Sequence, residues 1–65
     1  MRDYTNSQIT TLINEHIHNE RDREMLKRRL VDGVTYERLA AEFDLSVQRV
    51  KAIIYKAQDI LFKYL

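Results

Sequence analysis

Residues 35–57 constrain the fold of this 65-residue chain most strongly, because two helical patterns meet there at a break of only four residues, 43–46. Ala40, in the middle of the first pattern, is small enough to lie where two helices cross closely. Ser46 is a favourable N-cap for the second pattern, and Val50 and Ile53 follow it at the spacing of a buried helix face. The stretch therefore predicts two helices held at a fixed angle by a tight turn.

The composition supports a small helical domain. The chain has no Pro and no Cys and contains a single Gly, so sheets, long loops, disulfides and thiolate metal sites are not expected. A chain of this length forms one domain, residues 1–65, with a small core. Neither a signal peptide nor an apolar run long enough to span a bilayer is visible, which predicts a cytoplasmic protein that does not enter membranes.

The first two helices have recognisable start signals. Thr5 and Gln8 have the spacing of a capping box, with Tyr4 and Ile9 as its hydrophobic staple. Asn19 is expected to cap the second helix, whose first turn is acidic. Residues 1–18 then form an extra N-terminal helix ahead of the remaining domain, 19–65.

The last two helices follow Gly33, which is expected to end the second helix in the left-handed conformation. Thr35 caps the third helix, and Asp44 takes the sharp turn after it. Ser46 caps a long fourth helix that runs to about Tyr64. The fold class predicted is all-α, with four helices. The apolar positions expected to form the core are Ile9, Leu12, Ile13, Ile17, Met25, Leu26, Leu30, Val31, Leu39, Ala40, Phe43, Leu45, Val47, Val50, Ile53, Ile54, Ala57, Ile60 and Leu61.

Charge is distributed unevenly along a chain whose net charge is only +1. The part after the turn, residues 46–65, carries four basic residues and one acidic residue. Such a locally basic helix can contact phosphates, although an ordinary solvated helix surface has the same pattern. The mixed basic run at residues 21–29 favours a solvated face, with Arg28 or Arg29 as reserve phosphate contacts.

Two helices joined by a tight turn are typical of a helix-turn-helix, in which the second helix enters the DNA major groove. The polar face of the fourth helix then carries Gln48, Arg49, Lys51 and Ala52. Arg49 suits guanine, Gln48 suits adenine, and Ala52 can meet a thymine methyl group. The alternative is an amphipathic helix whose polar face meets only water.

Phosphate contacts are expected around these residues. Tyr55 and Lys56 lie one turn or more beyond them and suit the DNA backbone. Thr35 and Arg38 begin the third helix, where a helix N-terminus can lie on a phosphate. Thr35 is also a plain N-cap whether or not DNA is bound.

Other residue types exclude other functions. His16 and His18 are two residues apart and point to different sides of a helix, so neither a metal site nor any other cofactor is expected. His16, at the edge of the apolar face, is expected to pack. No combination of nucleophile, base and carboxylate is present, which predicts that the protein is not an enzyme.

The end of the fourth helix carries more apolar residues than one buried stripe requires: Tyr55, Phe62, Tyr64 and Leu65. Either the first helix folds back over them, or they form a surface for a second copy or another protein. A homodimer is the expected assembly.

From about Asn19 to Leu61 the sequence resembles region 4 of bacterial sigma factors, the domain that binds the −35 promoter element. The resemblance rests on residues 21–30, Gly33, Thr35-Tyr36-Glu37-x-Leu39-Ala40, Ser46-x-x-x-Val50-Lys51 and Tyr55-Lys56-Ala57-x-x-x-Leu61. Asp44 replaces the usual Gly of the turn, and Arg38 replaces a frequent Glu.

The resemblance implies sequence-specific binding of double-stranded DNA in transcription regulation. Because the larger sigma domains have no counterpart in these residues, we expect a stand-alone protein of the kind found in prophages and mobile elements. The alternative it implies is a protein-interaction module that docks on RNA polymerase or on a separate sigma-like subunit.

Overall fold

The computed structural model describes residues 5–64, and these form four α-helices and no strand. The helices are α1 (Asn6–His16), α2 (Glu20–Leu30), α3 (Tyr36–Phe43) and α4 (Val47–Phe62). The predicted all-α fold with a long last helix is therefore confirmed. Within the described residues, no helix is both long and apolar enough to cross a membrane.

Every helix begins at the polar residue expected from the sequence. The Thr5–Gln8 capping box forms in both directions, although its proposed staple partner Tyr4 lies outside the described residues. Asn19, Thr35 and Ser46 each accept a hydrogen bond from the backbone N–H three residues later, at 3.1–3.2 Å. These caps fix where each helix starts, and so fix the length of the turn between α3 and α4.

Asp44 closes α3 in the left-handed conformation, with φ 55° and ψ 49°. The backbone N–H groups of Asp44 and Leu45 both donate a hydrogen bond to the carbonyl of Ala40. The turn therefore provides a partner for a free carbonyl at the end of α3 before Ser46 starts α4. Gly33 has a similar conformation, φ 69°, just after α2. Both left-handed positions are where the sequence predicts them.

Replacing Asp44 with Gly should raise the free energy of unfolding by about 0.5–1 kcal/mol, because Gly has no Cβ to disfavour positive φ. Gly33→Ala is the matched control: no atom lies within 4 Å of the added Cβ, so conformation alone should lower stability by about 1 kcal/mol. Urea unfolding measures both. A loss of stability in Asp44→Gly would contradict this account of the turn.

All four helices contribute to one buried core. Ile13 and Ile17 come from α1 and its C-terminal end, and the remaining members come from α2, α3 and α4: Met25, Leu26, Leu39, Ala40, Val50, Ile53, Ile54, Ala57 and Leu61. Eight other residues predicted for the core are only half-buried: Ile9, Leu12, Leu30, Val31, Phe43, Leu45, Val47 and Ile60. All of them except Val31 still pack against the buried core. These residues form the edge of the core rather than its centre.

The end of α4 also differs slightly from the prediction. The α-helix stops at Phe62, and the N–H of Tyr64 donates to the carbonyl of Leu61 at 2.9 Å in a final tight turn. The ring of Tyr64 stacks on that of His16 at 3.7 Å and 7°. His16 is thus a packing residue, as predicted, and it joins α1 to the end of α4. Leu65 lies outside the described residues.

Arg23 holds the connection between α1 and α2. Its Nη1 donates to the carbonyls of Ile17 and His18, at 3.0 and 3.1 Å. Those carbonyls follow the end of α1, so the guanidinium satisfies backbone groups that the helix itself leaves free. This contact ties α2 to the connection that follows α1.

Candidate nucleic-acid interface

The eight residues predicted to contact DNA all lie at the surface of the α3–α4 unit. Lys51 is half-buried, and the other seven are exposed: Thr35, Arg38, Gln48, Arg49, Ala52, Tyr55 and Lys56. Val50, Ile53, Ile54 and Ala57 bury the opposite face of α4. Burial of that face turns the polar face outward along the whole helix.

The outward face of α4 has a centre and two flanks. Gln48, Ala52 and Asp59 lie at its centre, opposite the buried residues. Lys51 and Tyr55 lie on the flank next to α3, where both approach Tyr36. Arg49 and Lys56 lie on the other flank, along a cleft that faces the α1–α2 connection.

Four side chains meet at the start of α3 and form what we call the tyrosine cluster: Arg29, Tyr36, Lys51 and Tyr55. The guanidinium carbon of Arg29 lies 4.3 Å from the centre of the Tyr36 ring, and Lys51 Nζ lies 5.6 Å from it. The rings of Tyr36 and Tyr55 meet edge to face at 6.2 Å. The cluster joins α2, α3 and α4 and places two cations over the ring of Tyr36, the first residue of α3.

The cluster also affects the titration of Tyr55. Hydrogen bonding with Tyr36 raises the pKa of the Tyr55 phenol above its ordinary value, and the same neighbour adds an electrostatic contribution. Tyr55 is therefore uncharged at neutral pH. A neutral phenol can donate a hydrogen bond to a phosphate oxygen without repelling it.

Replacing Tyr36 with Leu should lower the free energy of unfolding by about 1–2 kcal/mol, because the aromatic pair and both cation–π contacts are lost. Tyr36→Phe keeps the ring and should leave stability nearly unchanged. It should nevertheless lower the pKa of Tyr55 towards its ordinary value, because the Tyr36 hydroxyl is gone. Urea unfolding and NMR titration of the Tyr55 ring measure the two effects. Equal stability losses in both variants would show that the ring contacts contribute nothing.

The two reserve phosphate contacts already have partners within the protein. Arg28 pairs with Glu42 on α3 and, at 3.2 Å, with Asp32. The hydrogen bond to Glu42, followed by that to Asp32, raises the pKa of the Arg28 guanidinium. Arg29 donates to the carbonyl of Val34 at 3.0 Å besides stacking on Tyr36. Arg28 in particular would have to give up carboxylate partners to reach DNA.

The aromatic residues of α4 and of the turn that follows it remain at the surface. Tyr55, Phe62 and Tyr64 are 54%, 60% and 55% exposed. The suggestion that the first helix folds back and covers them is therefore wrong: α1 packs against α4 and stacks His16 on the Tyr64 ring, yet all three side chains stay more than half exposed. The alternative, a surface for another protein, fits this exposure.

Within residues 5–64, no group of three or more His, Cys, Asp or Glu side chains is arranged to hold a metal ion.

The role of Tyr36 in the tyrosine cluster has no local signal in the sequence, because Tyr36 lies 19 positions from Tyr55. Arg29 is recognisable in the sequence only as part of a basic run, and that run does not indicate its contact to the ring.

This arrangement of helices agrees with the protein family that the sequence matches. The chain matches the family model described as "Sigma-70, region 4" over residues 19–62, about two thirds of its length. No curated protein and no solved structure matches the chain significantly. Domains of the matched family are DNA-binding rather than enzymatic, and they bind core RNA polymerase as well. With its capped turn, its outward basic helix and this match, the chain belongs to the sigma-70 region 4 family of helix-turn-helix domains.

Proposed function

We propose that the protein binds double-stranded DNA sequence-specifically and regulates transcription, with α4 in the major groove. The observation that carries the proposal is the outward face of α4. In its first two turns this face carries Gln48, Arg49 and Ala52, and all three side chains are exposed. The chain itself belongs to a DNA-binding family. The start of a recognition helix is the part that reaches base edges.

The first two turns of α4 supply the base contacts. Arg49 can form a bidentate pair with guanine, Gln48 with adenine, and Ala52 can lie against a thymine methyl group. All three side chains are exposed. The Ser46 cap holds the backbone N–H of Arg49 at 3.1 Å, which fixes the start of the helix.

Phosphate contacts come from both flanks of α4 and from α3. Lys51 and Tyr55 serve the α3 flank, and Lys56 serves the other flank. Thr35 and Arg38 present the exposed first turn of α3. A helix N-terminus attracts phosphate through its free N–H groups and its dipole.

A single module should bind weakly, because the net charge is +1 and the number of phosphate contacts is small. We propose that a homodimer or association with RNA polymerase provides the remaining affinity. The location in the cytoplasm and the prophage or mobile-element origin stay predictions from the sequence.

A selection of bound duplexes from a random pool, followed by binding measurements over a salt series, tests the proposal. We expect an enriched motif, and an affinity for it that falls steeply with salt. Lys56→Ala should reduce the salt slope by about 1. Lys63→Ala removes the same charge near the end of α4 and should change it less. Absence of duplex binding at low salt and high protein concentration would refute DNA binding as the main role.

A second candidate is a protein-docking module, favoured by the exposure of Tyr55, Phe62 and Tyr64. It would bind RNA polymerase or a separate sigma-like subunit, with DNA contact secondary. Sedimentation of the free protein and binding to core polymerase distinguish the possibilities. A monomer at high concentration would count against the homodimer, and Phe62→Ser should weaken whichever association is found.

A further inference from the structure

The outward face of α1 carries no charge over most of its length. Residues 5–14 contain no Asp, Glu, Lys, Arg or His, in a chain of which 32% of residues are charged. Ile13 is buried in the core, whereas the side chains that we call the uncharged face are exposed: Ser7, Gln8, Thr11 and Asn14. Because α1 precedes the residues that match the family, 19–62, the DNA-binding role of the family does not account for this face.

The uncharged face is suited to contact another protein. Charged residues are depleted at the centre of protein–protein interfaces, whereas a DNA-binding surface needs cations. The hydroxyl of Thr11 already donates to the carbonyl of Ser7 at 2.9 Å, so Thr11 can lose its water without losing that hydrogen bond. Together with Gln8 and the half-buried Leu12, these two residues line a shallow hollow of about 340 Å³. A protein surface that is itself uncharged at the point of contact fits here.

The charges at the two ends of α1 favour a second copy of the chain as that partner. Glu15 is exposed in the last turn of α1, where the negative end of the helix dipole disfavours a carboxylate. His16 Nε2 lies 3.9 Å from this carboxylate. The first turn of α1, at the positive end of the dipole, contains no acidic residue. An antiparallel second α1 would bring Glu15 of each copy to the first turn of the other, so the charge pattern is self-complementary.

The spacing of these residues sets the register of such a pair. In a two-fold arrangement every contact occurs twice, and a residue on the axis meets its own copy. Ser7, Thr11 and Glu15 are four positions apart and lie along one ridge of the helix. With Thr11 on the axis, Glu15 of each copy lies beside Ser7 in the first turn of the other α1.

We propose that α1 forms an antiparallel, two-fold contact with α1 of a second copy, with Thr11 on the axis. This inference rests on the homodimer of the proposed function and assigns that dimer to a face. The outward faces of α1 and α4 both point away from the shared core, so the contact does not cover the outward face of α4. A helix of 11 residues is only about 16 Å long, which is short for the roughly 800 Å² per partner of a stable interface. The dimer is therefore weak in solution.

Sedimentation velocity over a concentration series, up to millimolar protein, measures the association. Thr11→Glu places two carboxylates face to face on the axis and should raise the dissociation constant by about 10-fold or more. Ala41→Glu is the matched control, because it adds the same charge at an exposed position of α3 and should change the dissociation constant little. Thermal unfolding checks that both variants are folded.

A mixture of two variants tests the two-fold axis itself. Thr11→Glu and Thr11→Arg should each dimerise poorly, whereas an equimolar mixture should recover dimers, because opposite charges then meet on the axis. Glu15→Gln should raise the dissociation constant by about 3–30-fold, since two contacts between a carboxylate and a helix dipole are lost. The stability of the monomer should not fall in this variant, because the charge leaves the unfavourable end of its own helix.

A wild-type protein that stays monomeric at millimolar concentration, or a mixture that does not recover dimers, would overturn the inference. A dimer that Phe62→Ser dissociates and Thr11→Glu does not would also overturn it, and would place the interface at the aromatic residues of α4. A monomeric wild type whose binding to core RNA polymerase depends on Thr11 would assign the uncharged face to polymerase instead. A wild type that dimerises through α1 but binds no duplex would refute the proposed DNA binding and support this contact.

Discussion

Replacing Ile13 with Ala is expected to lower the free energy of unfolding by about 2–5 kcal/mol, the cost of deleting a large aliphatic side chain from a packed core. Ile13 has no exposed surface and lies in the same buried cluster as residues of α2, α3 and α4. It precedes the residues that match the family, 19–62. A domain of this size has a total stability of about 3–10 kcal/mol, so the variant should lose a large part of it.

Urea unfolding followed by circular dichroism measures this loss. Asn14→Ala is the matched control, since Asn14 is the next residue of α1 and is exposed. It should change stability by less than about 0.5 kcal/mol. Ile13→Val should give an intermediate loss of about 0.5–1.5 kcal/mol. If Ile13→Ala behaves like Asn14→Ala, α1 is not part of the cooperative core.

The helix boundaries could be predicted because their signals are local. Thr5, Asn19, Thr35 and Ser46 each bond to a backbone N–H only three residues away, so the sequence contains both partners of each cap. The left-handed turn at Asp44 is local in the same sense, because few residue types tolerate positive φ.

Contacts between distant residues could not be predicted in this way. Arg28 and Glu42 are 14 positions apart. In the sequence, each lies in a segment that looks like an ordinary solvated helix face. Their pairing depends on how α2 crosses α3. The stacking of Tyr64 on His16 likewise depends on where α1 ends relative to α4. These packing angles arise from the core as a whole, so no short segment contains them.

The candidate DNA-binding site could be predicted in part, because some of its features are local and others depend on contacts between distant residues. Once the buried face of α4 is known, helical periodicity places Gln48, Arg49 and Ala52 on the opposite face, and the structure has them exposed there. Periodicity does not reveal the support on either flank. Tyr36 and Arg21 come from α3 and α2, and they approach α4 only through the tertiary fold.

Arg49→Ala should weaken binding to the selected duplex by about 5–150-fold, corresponding to the 1–3 kcal/mol that a bidentate arginine–guanine pair contributes to discrimination. The change should not disturb the fold, because Arg49 is exposed and only its backbone N–H takes part in the Ser46 cap. Repeating the selection with the variant should show relaxed preference at one base position. Fluorescence anisotropy with the selected and a scrambled duplex measures the affinities.

The comparison between the two duplexes separates a base contact from a phosphate contact. A lost phosphate contact weakens both duplexes alike, since the backbone carries no sequence information, whereas a lost base contact weakens mainly the selected one. Arg49→Lys keeps the charge but not the planar fork of the guanidinium, so it should recover binding to the scrambled duplex more than to the selected one. Equal losses on both duplexes in Arg49→Ala would instead place Arg49 on the backbone, as part of the cationic flank that it shares with Lys56. Base recognition would then depend on Gln48 and Ala52, at the centre of the outward face of α4.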